Sequence, residues 1–162
     1  MSKLSLYSIF HLNLAYSSIA ESQQKKVVQQ CFWPLLRLAT EDAIPVAIEA
    51  PGYTLEVAER LDHKWVDELK KAIASKKVEF VGSGYTQLIA PLVPSDVNTW
   101  NLGIGREIYK TLLNIIPKFW FINEQAYSSG IVEHYAHIGA KGIVMEWNNP
   151  RPVGAAIAQM AR

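Results

Sequence analysis

The segment KFWFINEQAYSSG, Lys118 to Gly130, decides how the chain is read. Its aromatic, apolar first half has the composition of a buried β-strand. The strand ends in a carboxylate, Glu124, and passes at once into small polar residues. In barrels built from alternating strands and helices, reactive side chains sit where strands end, at the loop-bearing face. Glu124 is therefore the candidate catalytic nucleophile; the competing reading is an ordinary glutamate at the turn after a buried strand.

Outward from this segment, short β-branched or aromatic runs alternate with longer amphipathic stretches, the pattern of a parallel α/β sheet. LSLYSIFHLNL (4–14) reads as the first strand. A helix capped by Ser22 follows to about Ala39, with Val27, Val28, Cys31, Phe32, Leu35 and Leu38 on one face and a kink expected at Pro34. IPVAIEA (44–50) is the second strand, followed by APGYTLEVAERL and a charged helix from Lys64 to about Ser75. VEFVGSG (78–84) is the third. A helix from about Val97 to Ile115 is weakened in its first half by Gly103 and Gly105. KFWFINE is the fourth strand, SSGIVEHYAHIGA a short helix, and KGIVMEW (141–147) the fifth. The expected fold class is α/β, with about five parallel strands and intervening helices. A complete eightfold barrel takes about 250 residues, so these units amount to a little over half of one. Residues 1–149 form the barrel part. PRPVGAAIAQMAR (150–162) changes character, with no aromatic residue and no acid, and reads as a tail produced by truncation.

Composition narrows the classes. The 162 residues are 49% hydrophobic with a net charge of +1, so no basic excess points to nucleic acid or acidic lipid. The single cysteine, Cys31, falls in the first helical stretch and is expected to be a buried structural thiol in a reducing, cytoplasmic setting. The N-terminus imitates a secretory signal, but His11 and Asn13 interrupt its apolar run. No run approaches the ~20 apolar residues that cross a membrane. Oligomeric state is not legible.

Polar groups gather at the strand ends. The first strand delivers His11 and Asn13, two apart and so expected on one side. The second delivers Glu49 and the fourth Glu124. The glycines of GSGYTQ after the third strand let the backbone turn sharply, which aims Tyr85 and Gln87 into the same mouth. The fifth ends in Glu146, Trp147, Asn148 and Asn149. Rings that stack on pyranose faces, beside amides and acids that bond hydroxyls, make a sugar site. Each has a plainer reading: a rim histidine for His11, a turn residue for Glu49. His134 and His137, three apart, lack a third ligand at metal spacing and read as a solvated helix face, so no metal is expected. Leu102-Gly103-Ile104-Gly105 lacks the third glycine and the preceding strand of a dinucleotide fingerprint. No GxSxG, HExxH or phosphate loop occurs, and no cofactor is expected.

Taken in order, these pieces resemble the N-terminal half of glycoside hydrolase family 57, the amylase, glucanotransferase and branching-enzyme group. The family's HxHxP reads His11-Leu12-Asn13-Leu14-Ala15 here, with Asn13 in the second position. Its GxTHxxLPL loop is matched by Gly84-Tyr85-Thr86-Gln87-Leu88-Ile89-Ala90-Pro91-Leu92, with Gln87 in place of histidine. Its WxPExAY is matched by Phe121 to Tyr127, with Phe121 in place of tryptophan. The resemblance covers residues 4 to 149. It implies a distorted seven-stranded barrel, an α-glucan or oligosaccharide substrate, hydrolysis or transfer with retention, and Glu124 as nucleophile. His11, Asn13, Glu49, Tyr85, Gln87 and Trp147 would hold the sugar. It also implies an aspartate acid/base beyond residue 149, where this chain has only its tail, so the chain is expected to be incomplete as a catalyst. Two other readings stand beside this one: a polysaccharide deacetylase-like barrel holding a metal, and a non-catalytic carbohydrate-binding fragment.

Overall fold

A computed structural model describes residues 7–146. Trp147, Asn148, Asn149 and the tail 150–162 lie outside them, as do residues 1–6, which include the start of the first expected strand (4–14). Among the described residues five parallel strands run in chain order: β1 (Ile9–His11), β2 (Val46–Glu49), β3 (Val78–Val81), β4 (Phe119–Phe121) and β5 (Gly142–Val144). The first three are laddered directly, as are the last two. A parallel bridge between Gly82 and Trp120 joins the sets, through Gly82 N–H to Phe119 O (3.0 Å) and Phe121 N–H to Gly82 O (2.7 Å). β2 is buried at every position, as expected of a parallel strand covered on both faces.

The helices are α1 (Glu21–Val27), α2 (Trp33–Thr40), α3 (Gly52–Leu61), α4 (His63–Ala74), α5 (Ser95–Ile108) and α6 (Val132–His137). Each crossover buries residues at helical spacing, such as Trp65, Val66, Leu69 and Ala72 of α4. Phe32 packs on Trp65 with ring centroids 5.2 Å apart, and Tyr109 lies between Phe80 (5.1 Å) and Trp120 (5.7 Å).

The first helix departs from expectation in three ways. It starts at Glu21 with Ala20 in the cap position and no side-chain cap, so Ser22 does not cap it. Between α1 and α2 the chain makes a π-turn, Val28–Phe32, where Trp33 N–H reaches back five residues to Val28 O. Pro34 is the cause: it has no N–H for Gln30 O and its ring would strike that carbonyl, and the wider turn makes room. The extra residue in that turn rotates Cys31 off the buried face, so the thiol is exposed rather than buried. Val28, Phe32, Leu35, Leu36 and Ala39 form the buried stripe instead. The helix expected over 97–115 begins at Ser95, runs through a π-turn at Tyr109–Leu113, and ends at left-handed Asn114 (φ 58°).

The two glycines of α5 differ in kind. Nothing lies within 4 Å of a Cβ added at Gly103, whereas one at Gly105 would stand 2.4 Å from the carbonyl carbon of Gly84 and 2.8 Å from its Cα and O. Gly105 is what lets α5 approach the loop after β3, and Gly84 itself needs its φ of 107°. Gly105→Ala should therefore destabilise by roughly 3 kcal/mol, about 6–12 °C in Tm for a chain of this size. Gly103→Ala should raise stability by about 0.5–1 kcal/mol. Thermal melts of the two variants check both; equal melting points would show that the α5–loop contact carries no packing constraint.

Candidate active site

In a parallel ladder, residues in register share a face, so His11, Glu49 and Val81 point the same way at the C-terminal ends of β1, β2 and β3. β4 adds Phe121, whose ring stacks on His11 at 6.1 Å with planes 28° apart. These ends form one mouth. Glu49 is fully buried there, with Oε2 hydrogen-bonded to His11 Nδ1. Its Oε1 has no partner among the described residues.

The carboxylate sets the electrostatics of the imidazole. The hydrogen bond from His11 to Glu49 draws His11 above the ordinary histidine value, partial burial pulls it back, and the charges of Glu49 and Glu124 add to the rise.

The strand expected to include Asn13 ends at His11, and Asn13 sits in the turn that follows. Its Oδ1 accepts from Ala15 N–H (3.0 Å) and Tyr16 N–H (2.9 Å). Its amide nitrogen donates to Gln87 Oε1 at 2.7 Å, and Gln87 Nε2 stands 2.8 Å from His11 Nε2. The two residues meet through Gln87 rather than by sharing a strand face. Gln87 is delivered by a loop tied to α5, in which Asn101 Oδ1 accepts from Thr86 N–H (2.8 Å) and Asn101 Nδ2 donates to Thr86 O (3.1 Å).

Glu124 follows β4 in a left-handed conformation (φ 55°, ψ 14°), and Gln125 continues it (φ 53°). Two such residues in succession, neither of them glycine, persist only where the surroundings hold them. Asn123 Nδ2 donates to Ser83 O (2.9 Å) at the end of β3, and Gln125 Oε1 accepts from Glu146 N–H (2.6 Å) after β5. The turn is thus anchored on both sides while the Glu124 carboxylate stays exposed.

Sequence reasoning missed Asn123, Gln125, Asn101 and Tyr109. The polar pair flanking Glu124 was visible as a pattern, but nothing in it says which backbone groups it meets. Tyr85 turns to the flank: its hydroxyl donates to Glu56 Oε2 (2.9 Å) and its ring meets Tyr53 edge-on at 5.9 Å. The structure brings together His11, Asn13, Glu49, Gln87 and Phe121, with Glu124 close enough for its charge to act on His11; Tyr85 stands apart. His134 meets Ser95 Oγ (3.3 Å) and Thr99 Oγ1 (3.1 Å) on α5, and His137 is exposed. Among the described residues no three His, Cys, Asp or Glu side chains gather in a metal-binding group. No helix among them is long and apolar enough to cross a membrane.

Solved structures share this fold. A 4-α-glucanotransferase from Thermococcus litoralis superposes with a TM-score of 0.74 at 17% identity, over 87% of this chain and 23% of that one. An α-amylase from Thermotoga maritima gives 0.70 at 12%, over 86% and 39%. A branching enzyme from Pyrococcus horikoshii gives 0.69 at 12%, over 85% and 40%. The chain therefore spans well under half the length of each, and at these identities the likeness is one of fold. Among curated proteins no match is found by sequence. The family model for glycosyl hydrolase family 57 matches residues 9–156, nearly the whole chain with every strand and the mouth they form, and the chain belongs to that family.

Proposed function

We propose that this chain carries the nucleophile side of an α-glucan site, in a retaining hydrolase or glucanotransferase built on a distorted seven-stranded barrel of which residues 1–149 are the N-terminal part. The observation that carries the reading is Glu124: an exposed carboxylate on a left-handed turn, anchored by Asn123 to β3 and by Gln125 to the end of β5, at the mouth that His11 and Glu49 share. Family membership supports the substrate class. His11, Asn13, Glu49, Gln87, Tyr85 and Trp147 are assigned to holding the sugar. Tyr85 does so from the flank beside Glu56, and Trp147 lies outside the described residues.

A retaining reaction needs two carboxyl groups about 5–5.5 Å apart, one to attack the anomeric carbon and one to protonate the leaving oxygen. Glu124, exposed at the strand ends, suits the first role. Glu49 does not suit the second, because it is sealed beneath His11 with one oxygen committed to the imidazole. The acid is assigned to the family's aspartate, which neither Glu49 nor Glu146 matches, and the purified chain should bind maltooligosaccharides with little or no turnover. A deacetylase has less support, since no metal-ligand trio forms among the described residues. A non-catalytic glucan-binding role is what remains if Glu124 proves inert.

In a longer protein carrying this segment, Glu124→Gln should lower kcat at least about a thousand-fold while Tm and glucan binding hold. Azide should restore part of the rate on an activated substrate by filling the space of the missing carboxylate. Near-normal kcat in the Gln variant, or a loss that tracks unfolding, would make Glu124 a structural residue.

The His11–Glu49 pair gives a second expectation. The folded value of His11 lies above its unfolded one, so the stabilisation is whole below the ordinary histidine range and is lost as pH rises through the raised value. Urea midpoints of the wild-type chain and of Glu49→Gln should therefore differ most below the ordinary histidine range and draw together as pH rises above it. A gap that widens with pH contradicts the pairing.

A further inference from the structure

The hydrogen bonds around His11 form a line whose polarity is set from one end. Backbone N–H groups only donate, so Ala15 N–H and Tyr16 N–H identify the Asn13 atom they meet as its oxygen. Asn13 must then turn its amide nitrogen to Gln87, whose facing atom is Oε1 at 2.7 Å. With its oxygen taken on that side, Gln87 presents N–H to His11 Nε2 at 2.8 Å. A donor there requires an acceptor, so Nε2 carries the lone pair and the ring proton sits on Nδ1, facing the Glu49 carboxylate.

We propose that Asn13 and Gln87 are positioning residues, an amide relay that fixes neutral His11 as its Nδ1–H tautomer and so presents an acceptor nitrogen to a sugar hydroxyl. A hydroxyl that displaces the Gln87 amide donates to Nε2; a ring in the other tautomer would require the hydroxyl to accept. Neither amide touches the anomeric centre, and both act through His11.

The relay works against the nearby charges. Glu49 from β2 and Glu124 from the turn after β4 are the charged groups that act on His11, and both favour a second proton on the ring. That proton would set N–H against N–H at Gln87. Relieving the clash turns over both amides and gives up the bonds from Ala15 and Tyr16. The carboxylates raise the imidazole's affinity for a proton, and the relay limits the rise.

This inference rests on the reading of the mouth as a sugar site only for the hydroxyl. The tautomer is a property of the chain alone, so it survives if Glu124 proves inert and can fail while Glu124 proves catalytic. The test is nitrogen NMR of the full chain labelled with ¹⁵N-histidine, with His11 assigned by the signal lost in His11→Gln. Above its titration, wild-type His11 should show a protonated Nδ1 and a bare Nε2. Gln87→Met keeps the cover over the ring but removes the donor, and it leaves the Asn13 turn intact. It should raise the His11 midpoint by up to about one unit, the worth of one hydrogen bond, and populate Nε2–H. Asn13→Ala should act in the same direction by freeing Gln87 to rotate. His63, His134 and His137 should not move. Neither substitution changes charge, so a purely electrostatic site leaves the midpoint in place. A protonated Nε2 in neutral wild-type His11, or an unmoved or lowered midpoint in Gln87→Met, overturns the relay.

Discussion

The hydroxyl of Tyr109 holds together the strand ends on which the mouth is built. Wholly buried in the π-turn that extends α5, it donates toward Ala50 O (2.9 Å) and Gly84 O (2.8 Å) and accepts from Ser83 N–H (3.1 Å). Burial holds the phenol far above its ordinary pKa, so it keeps its proton and remains a donor. Without it, Ala50 O and Ser83 N–H would lose this partner, at about 1–3 kcal/mol for each left unsatisfied, while Gly84 O keeps the N–H of Gly52. Gly105 lies one turn earlier on the same helix face and meets Gly84 directly. The loop pinned between them then lends its carbonyls to α3: Gly52 N–H bonds Gly84 O (2.8 Å) and Tyr53 N–H bonds Tyr85 O (2.9 Å), satisfying donors at a helix start that has no side-chain cap.

That seam explains what the sequence could and could not show. The order and direction of the strands were legible because parallel strands buried on both faces leave apolar runs, and the helices between them leave a 3.6-residue stripe. His11, Glu49 and Glu124 were legible because a parallel sheet brings all its C-terminal ends to one side, and Gln87 because the loop after β3 starts there. Periodicity fails where the backbone changes gait. Cys31 was placed on the buried stripe by counting through a turn that holds one residue more than an α-helix does. Tyr85 follows Gly84, whose positive φ redirects the chain, and alternation along β3 carries no information past that point. Tyr109 looks like any apolar helix residue until its hydroxyl is seen to meet three backbone groups.

The two carboxylates at the mouth show how position sets their roles. Glu49 ends a strand buried on both faces and is removed from water, where an ionised group persists only with a partner; His11 is that partner. Glu124 comes two residues after Ile122, beyond the ladder, where the chain is free to adopt unusual angles. Left-handed φ at Glu124 and Gln125 costs on the order of 1–3 kcal/mol each, and each side-chain anchor to β3 or β5 returns about 1 kcal/mol. The two anchors offset the lower end of that strain, and the burial of Ile122 just before the turn adds to them. A glutamate free to relax would swing away or fold the turn into an ordinary helix start. Held this way, its backbone is fixed and its carboxylate exposed, while Glu49 is hidden and tied to an imidazole, which is the separation of environments that lets two like acids do different work at one mouth.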